Sequence, residues 1–140
     1  MNEFRDTQSS LMKFAAEFAA PRGLLAINLD NFANPMEWPE GDFIAIAEFQ
    51  MDIDHPFVMP ALAFVISTKE DTNLFRMAEL VNELLNELLP GKRIKMIDAT
   101  SGVTRGWLSV LNQTRVGTVE QTDSQPARPI MVRFKSDQTL

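Results

Sequence analysis

Thr72-Asn-Leu-Phe-Arg-Met-Ala-Glu-Leu-Val-Asn-Glu-Leu-Leu-Asn-Glu-Leu-Leu89 carries the most regular apolar pattern of the chain. Asp71 or Thr72 can cap the first free amides of a helix here, and Pro90-Gly91 ends it. Leu80 and Leu89 make the apolar face of this predicted helix broader than the narrow seam of a coiled coil, so we expect the helix to lie across a sheet. The apolar residues recur at steps of three and four, as on one helical face: Leu74, Met77, Ala78, Val81, Leu84, Leu85 and Leu88.

Candidate strands lie on both sides of this helix in the sequence. Ile44 and Ile46 make a second face apolar in residues 43–51, so we expect both faces of that strand to be covered at one end. The first face of the same strand is predicted from alternation: Phe43, Ala45, Ala47, Phe49 and Met51. Further strands are predicted at residues 25–29, 61–66, 93–97, 107–111, 115–119 and 130–135.

A second helix is predicted near the N-terminus. Apolar residues at helical spacing run from Phe4 to Ala19, Pro21 and Gly23 follow them, and Asp6 and Thr7 are candidate caps. Together the elements predict one α+β domain spanning residues 1–140. We expect a mixed, mostly antiparallel sheet with the two main helices packed on one face.

Two loops are predicted to project from this sheet. Residues 50–60 place Asp54, His55, Pro56 and Pro60 between two strand patterns, which predicts a hairpin with a long connecting loop. Residues 121–129 are polar and contain two prolines, which predicts a second projecting loop.

Charge is distributed unevenly along the chain. The net charge is −6, but residues 1–90 carry five Lys and Arg against fifteen Asp and Glu, and residues 91–140 carry eight against four. Opposite charge on two surfaces favours head-to-tail association, unless the two halves mix on one surface and their fields cancel. The sequence leaves both interpretations open. The overall acidity argues against a protein that grips the phosphates of duplex DNA.

Composition also excludes several classes of protein. The chain has no cysteine, so neither disulfides nor thiolate chemistry is available to it. No apolar run approaches the roughly 20 residues of a membrane span, and no basic segment followed by an apolar one starts the chain. We therefore expect a protein made in the cytoplasm, without a membrane partner.

Motifs that support catalysis are almost absent. His55 is the single histidine, and the chain has no nucleophile elbow, no Walker loop and no dinucleotide-binding glycine fingerprint. Asp52, Asp54 and His55 can offer oxygen and nitrogen ligands to a divalent ion, or they form a plain polar loop beside a strand end. Residues 98–106, with Arg105, can form a nest for an anion or a connector between two strands. We expect no enzymatic activity and no cofactor.

The order of elements resembles a known family. The first part contains Asp42-Phe-Ile-Ala-Ile-Ala-Glu-Phe, then Ala61-Leu-Ala-Phe-Val-Ile-Ser-Thr, then the helical stretch. The closing part is Gly117-Thr-Val-Glu-Gln-Thr-Asp-Ser-Gln-Pro-Ala-Arg-Pro-Ile-Met-Val-Arg-Phe. This pattern resembles the tail terminator proteins of long-tailed bacteriophages, the lambda-type family.

The resemblance implies a structural role in the virion. Members of that family have a mixed sheet with helices packed on one side, and they form hexameric rings. The ring caps the tail tube, stops its polymerisation and presents a surface to the head-side connector. A virion protein made in the cytoplasm of a host bacterium is implied, with DNA passing through the ring without specific binding.

Candidate interface residues follow from charge and from position beside the loops. We expect Asp52 and Asp54, next to His55, to meet cations of the second half of the chain in a neighbouring subunit: Arg105, Arg115 or Arg128. Trp107 lies beside a loop and is a candidate interface anchor, although packing under the loop is the other interpretation. The alternative functions are an adaptor that holds one partner without forming a ring, and a small metal-dependent enzyme.

Overall fold

The computed structural model describes residues 3–31, 38–54, 57–121 and 125–138, with only the backbone at Asp54, Asp137 and Gln138. Short 3-10 turns at Ala20–Arg22, Leu29–Asn31 and Thr72–Leu74 lie between the main elements. Those elements are α1 (Glu3–Ala19), β1 (Leu25–Asn28), β2 (Phe43–Asp54), β3 (Phe57–Ser67), α2 (Phe75–Glu87), β4 (Arg93–Ile97), β5 (Thr104–Val110), β6 (Arg115–Val116), β7 (Glu120–Gln121) and β8 (Pro126–Gln138).

The strands form one sheet in the order β1-β2-β3-β8-β5-β4, and the short strands β6 and β7 also pair with β8. The pairing of β1 with β2 is parallel, and the other described pairings are antiparallel. The first half of β8 pairs with β3 and its last residues pair with β5, so this strand joins the two parts of a curled sheet. The prediction of a mixed, mostly antiparallel sheet is confirmed.

Both α-helices pack on the same face of the sheet, as expected. Their apolar faces and the inward side chains of the strands form the main core. Each large side chain that is fully buried there contributes about 1.5–3 kcal/mol to folding. Fully buried members include Leu11 of α1, Met77 and Leu84 of α2, and Phe64, Ile130 and Phe134 of the strands. Among the described residues, neither helix is long and apolar enough to cross a membrane.

The opposite face of β2 and β3 is covered as well, at one end. Phe43, Ala45 and Ala47 form a second cluster with Ala63 and Val65, and Trp38 packs against it. The predicted alternation fails beyond Ala47, because a β-bulge lies between Ala47 and Gln50. One extra residue in the bulge reverses the direction of the side chains that follow, so Phe49 packs against the main core instead of the second cluster.

The α2 helix begins later than predicted. Asn73 and Leu74 have left-handed backbone, with φ of 58° and 55°, so regular helix starts only at Phe75. Asp71 does cap it: its carboxylate accepts hydrogen bonds from the amides of Arg76 at 2.9 Å and Met77 at 2.8 Å. Of the residues placed on the predicted apolar face, Ala78 and Leu89 are exposed, while Leu80 is buried.

Both predicted loops are largely strand. β2 and β3 continue as a paired hairpin as far as Asp54 and Phe57, and Pro60 pairs with Met51, so the predicted loop of residues 50–60 is wrong apart from residues 55 and 56, outside the described residues. The second predicted loop, residues 121–129, contains the start of β8 and the end of β7, with residues 122–124 outside the described residues.

Pro129 is tolerated in β8 because its nitrogen faces the side where β8 pairs only with the short strands β6 and β7. The Pro129 carbonyl accepts a hydrogen bond from the Gly117 amide at 2.8 Å, and the proline nitrogen on the same edge has no hydrogen to donate. The ladder is therefore interrupted at this point, and β6 is limited to two residues instead of the five that were predicted.

Candidate assembly surface

A β-hairpin arm continues the sheet beyond the region covered by β1. We call the described distal part of the β2–β3 hairpin, residues 48–54 and 57–60, the arm. Among the described residues, β1 pairs with β2 only from Phe43 to Ile46, so the outer edge of β2 in the arm has no strand partner. At the base of the arm, Glu48 has a φ of 54° and its amide donates to the Asp30 carboxylate at 3.1 Å. The bulge is thus held in place by a side chain of the adjoining turn.

The arm exposes large apolar side chains. Ile53, Phe57 and Met59 are 54, 41 and 37% exposed. Asp52 is exposed too and pairs with Met59, so these two side chains lie on the same face of the arm. The Lys135 ammonium lies 4.1 Å from the centre of the Phe57 ring. An exposed apolar hairpin of this kind is typical of a surface that another protein covers.

The arm is attached to the rest of the sheet near its tip and at its base. The Val58 amide donates to the Ser136 hydroxyl of β8 at 2.9 Å, and both residues are buried. The Phe4 and Phe49 rings meet edge to face, with centroids 4.9 Å apart. The arm is therefore fixed to the sheet at both ends, which favours binding because little order has to be gained on contact.

A groove runs along α2 at the other end of β3. It has a volume of about 400 Å³, and its wall includes Leu74, Ala78 and Leu85 from the helix side and Arg128 from β8. Arg128 is half-buried, and its Nε atom is buried without a hydrogen-bond partner among the described residues. Because Nε has essentially no accessible surface, a carboxylate from outside would pair with the outer part of this half-buried, positively charged side chain.

Arg105 is used inside the chain. Its Nη1 atom lies 2.7 Å from Oδ2 of Asp6, which is fully buried in α1. Asp6 was expected to cap α1, but it lies within the helix and also accepts the Ala99 amide at 3.0 Å and the Arg5 Nε at 3.0 Å. Burial raises the pKa of Asp6, but these hydrogen bonds, that of Ala99 first, outweigh it and the pKa lies below its usual value.

The loop between β4 and β5 offers no free anion nest. The Asp98 carboxylate accepts the amides of Thr100 at 2.8 Å and Ser101 at 2.9 Å, and these bonds, Ser101 first, lower the pKa of Asp98. The Gly102 amide donates to the Asp98 carbonyl at 2.9 Å. The amides that could hold a phosphate are therefore already bonded within the turn, as in the connector interpretation of residues 98–106.

The remaining candidate residues lie apart. Trp107 is half-buried on β5, with the Arg93 guanidinium 4.7 Å and the Lys95 ammonium 5.9 Å from its ring. Arg115 is exposed on β6 and pairs with Met131. Asp52 lies on the arm, whereas His55 and the Asp54 side chain are outside the described residues. Within the described part of the chain, no group of three or more His, Asp or Glu is placed to hold a metal ion.

Basic residues from both halves of the sequence lie beside acidic side chains of α2. Arg22 Nε lies 2.8 Å from a Glu83 carboxylate oxygen, and Lys92 lies 4.0 Å from Glu87. Such contacts between exposed groups are worth about 0–1 kcal/mol each. They neutralise part of the acidity of α2 locally, and they leave the charge of the arm, where Asp52 is exposed, unaffected.

Two features of the structure were not predicted from the sequence. The exposed pair Phe57 and Met59 alternates with buried Val58 and Pro60, a period of two that indicates a strand, but the neighbouring prolines suggested a loop. Gln125 is buried and joins two segments: its Nε2 donates to the Gly41 carbonyl at 2.7 Å and to the Ser67 hydroxyl at 2.6 Å. No sequence pattern pointed to that role.

Comparisons with known proteins give information on the fold but not on the function. No family model and no curated protein matches the sequence. A solved structure identified only by a record number has a TM-score of 0.63 at 14% identity, covering 97% of this chain and 96% of the other. A chain of the virion of a native gene transfer agent particle has a TM-score of 0.48 at 17% identity, covering 86% of this chain and 83% of that one. The first likeness shows a shared fold alone, since one fold serves many functions, and the second is too low to establish even that.

Proposed function

We propose that the protein is a non-enzymatic virion assembly protein of the tail-terminator kind. Copies associate into a ring, which we expect to be a hexamer, at the end of the tail tube. The ring stops polymerisation of the tube protein and offers its other side to the head-side connector. DNA passes through the ring without specific binding, and no cofactor is involved.

Two lines of support come from the sequence and the fold. The order of elements resembles the tail terminators, and that resemblance implied a mixed sheet with helices on one side. The chain has such a sheet, with both helices on one face. Agreement in fold alone does not assign a function, so the proposal depends on the surface of the molecule as well.

The observation that carries the proposal is the arm. It presents exposed Ile53, Phe57 and Met59 on a hairpin whose outer edge lacks a strand partner among the described residues. A surface of this kind is covered in a working assembly, since exposed strand edges with apolar side chains otherwise aggregate. A protein whose main distinguishing feature is an uncovered arm is better suited to assembly than to catalysis.

The ring requires a heterologous contact, in which two different surfaces of the subunit meet. We place the acidic partner on the arm, at Asp52, and the basic partner on the second half of the chain, at Arg115 or Arg128. Arg105 is a weaker candidate because the buried Asp6 carboxylate already holds it at 2.7 Å.

Tail length tests the proposal. Tails assembled with the tube protein alone are compared by electron microscopy with tails assembled in the presence of this protein. We expect over-long tails of variable length in its absence and a sharp length distribution in its presence. Normal tail lengths without the protein would contradict the terminator role, and binding of one partner in a one-to-one ratio without a ring would favour an adaptor.

A further inference from the structure

We infer that the arm of one copy occupies the α2 groove of the next copy, with the Asp52 carboxylate at Arg128. The inference rests on the proposed ring and specifies its subunit contact. It commits to a second copy of this chain as the occupant of the groove.

The two surfaces lie at opposite ends of one strand. Met59 of β3 pairs with Asp52 in the arm, and Ile66 of β3 pairs with Arg128 beside the groove. Met59 and Ile66 are seven positions apart on the strand, which is roughly 23 Å at the usual rise of a strand. Asp52 therefore cannot reach Arg128 of its own chain, and the contact has to be made between copies. Surfaces at opposite ends of a subunit are what head-to-tail closure requires.

The chemistry of the two surfaces is complementary. The groove offers an apolar wall from α2 and the positively charged, half-buried side chain of Arg128. The arm offers an exposed Met59 and, directly opposite it in the hairpin, an exposed Asp52 carboxylate. Met59 and Phe57 would cover the apolar wall, while the Asp52 carboxylate would pair with the guanidinium of the half-buried Arg128. A charge-assisted hydrogen bond in a site closed to water is stronger than the same bond on a surface.

The backbone at the mouth of the groove is strained. Asn73 and Leu74, which both line the groove, have φ of 58° and 55°. Non-glycine residues in this region are uncommon and cluster at binding sites. Their position is consistent with a surface shaped for an occupant.

Complementary charge variants test the contact. Asp52→Arg and Arg128→Asp should each raise the protein concentration at which half of the subunits are assembled by at least about tenfold, because each variant places like charges at the contact. An equimolar mixture of the two variants should form rings again. When the variants alternate around the ring, the two introduced side chains face each other at one contact, and the native pair is restored at the next. Arg133→Asp is the matched control, because Arg133 is exposed on the same strand and should leave assembly unchanged.

A cysteine pair gives a second readout that does not depend on charge. The chain has no cysteine, so Asp52→Cys on one copy and Arg128→Cys on another can form one defined disulfide. We expect covalent dimers from the mixture and none from Asp52→Cys mixed with Arg133→Cys. A chain carrying both Asp52→Cys and Arg128→Cys should give a ladder that ends at the ring size.

The outcomes separate this contact from the proposed function. If rings form but the cysteine variants do not cross-link and the charge-swapped mixture is not rescued, the proposed contact is contradicted and the proposed ring is supported. Efficient cross-linking into open chains of no fixed length would support the proposed contact and contradict the closed ring. A protein that neither assembles nor cross-links at any concentration would contradict both.

Discussion

Arg105 Nη1 donates to Asp6 Oδ2 at 2.7 Å across 99 positions of sequence, joining α1 to the first residues of β5. The Asp6 side chain is fully buried, while Arg105 keeps 35% of its side chain exposed. A neighbouring bond supports the same junction: the Ile97 amide donates to the Ser10 hydroxyl at 2.9 Å. The pair therefore fixes α1 against the β4–β5 hairpin, so Arg105, a predicted interface residue, also has a role in the fold.

Asp6→Asn should lower the free energy of unfolding by about 2–3 kcal/mol, because it removes the charged acceptor of a buried pair. The expected loss lies below that for a fully buried pair, since Arg105 is partly solvated. Urea denaturation followed by circular dichroism measures it. Lys13→Gln is the control, because Lys13 lies 4.0 Å from Glu17 on the exposed side of α1 and should change stability by less than about 0.5 kcal/mol. Equal losses in the two variants would contradict the role of Asp6.

Stability should fall in acid. The pKa of Asp71 is lowered, like that of Asp6: burial raises it, but the amides of Arg76 and Met77 outweigh that effect. Since the folded carboxylates bind protons less readily than the unfolded chain, their contribution is complete above the unfolded value of about 3.9 and is lost as pH falls through the folded pKa. As the pH is lowered from about 5, the free energy of unfolding should fall less for the Asp6→Asn variant than for the native chain. Urea midpoints measured at each pH give the comparison. Parallel pH curves for the two chains would contradict this assignment.

Asp71→Ala should lower the free energy of unfolding by about 1–2 kcal/mol, because it leaves two first-turn amides of α2 without acceptors. Thr72→Ala is the matched control, since Thr72 is exposed and the Asp71 carboxylate supplies both bonds. Thermal and urea unfolding of both variants give the comparison. A larger loss for Thr72→Ala than for Asp71→Ala would show that Asp71 is not the cap.

Glu48 tests the bulge at the base of the arm. Glu48→Val should lower the free energy of unfolding by about 1–2 kcal/mol, because a β-branched residue is poorly tolerated at the observed φ of 54°. Glu48→Gly relieves the strain and should leave stability unchanged or raise it by up to about 1 kcal/mol. Both changes remove the same charge, so electrostatics cannot explain a difference between them. Equal stability of the two variants would show that residue 48 is not held in left-handed backbone.

Much of the fold follows from local periodicity. The helical face of α2, the strand at Arg93–Ile97 and the one-sided alternation in β8 are patterns of side chains within single elements. Each such pattern requires a buried face, and the sheet and the two helices provide it. The burial of both faces of the strand at Phe43 and Ile44 could also be predicted from the sequence, because both faces of that segment are apolar.

The arm and the polar core contacts depend on distant partners and could not be predicted in the same way. Pro60 ends a strand by local rules, yet here it pairs with Met51 because the hairpin continues past it. The bulge at Glu48 requires the Asp30 carboxylate, 18 positions away, to accept its amide. Asp6 and Arg105 form their pair only once α1 lies on the sheet. A single sequence contains no signal for contacts of this kind.

The mass of the purified protein, measured by native mass spectrometry over a range of concentration and salt, tests the ring most directly. The proposal predicts one discrete assembly, a hexamer, that dissociates as ionic strength rises, because the contact includes charged pairs. Arg133→Asp should leave that assembly state unchanged, and Asp52→Arg should shift the protein toward monomer. A monomer at every concentration, or a distribution of multimers without a preferred size, would contradict a self-closing ring.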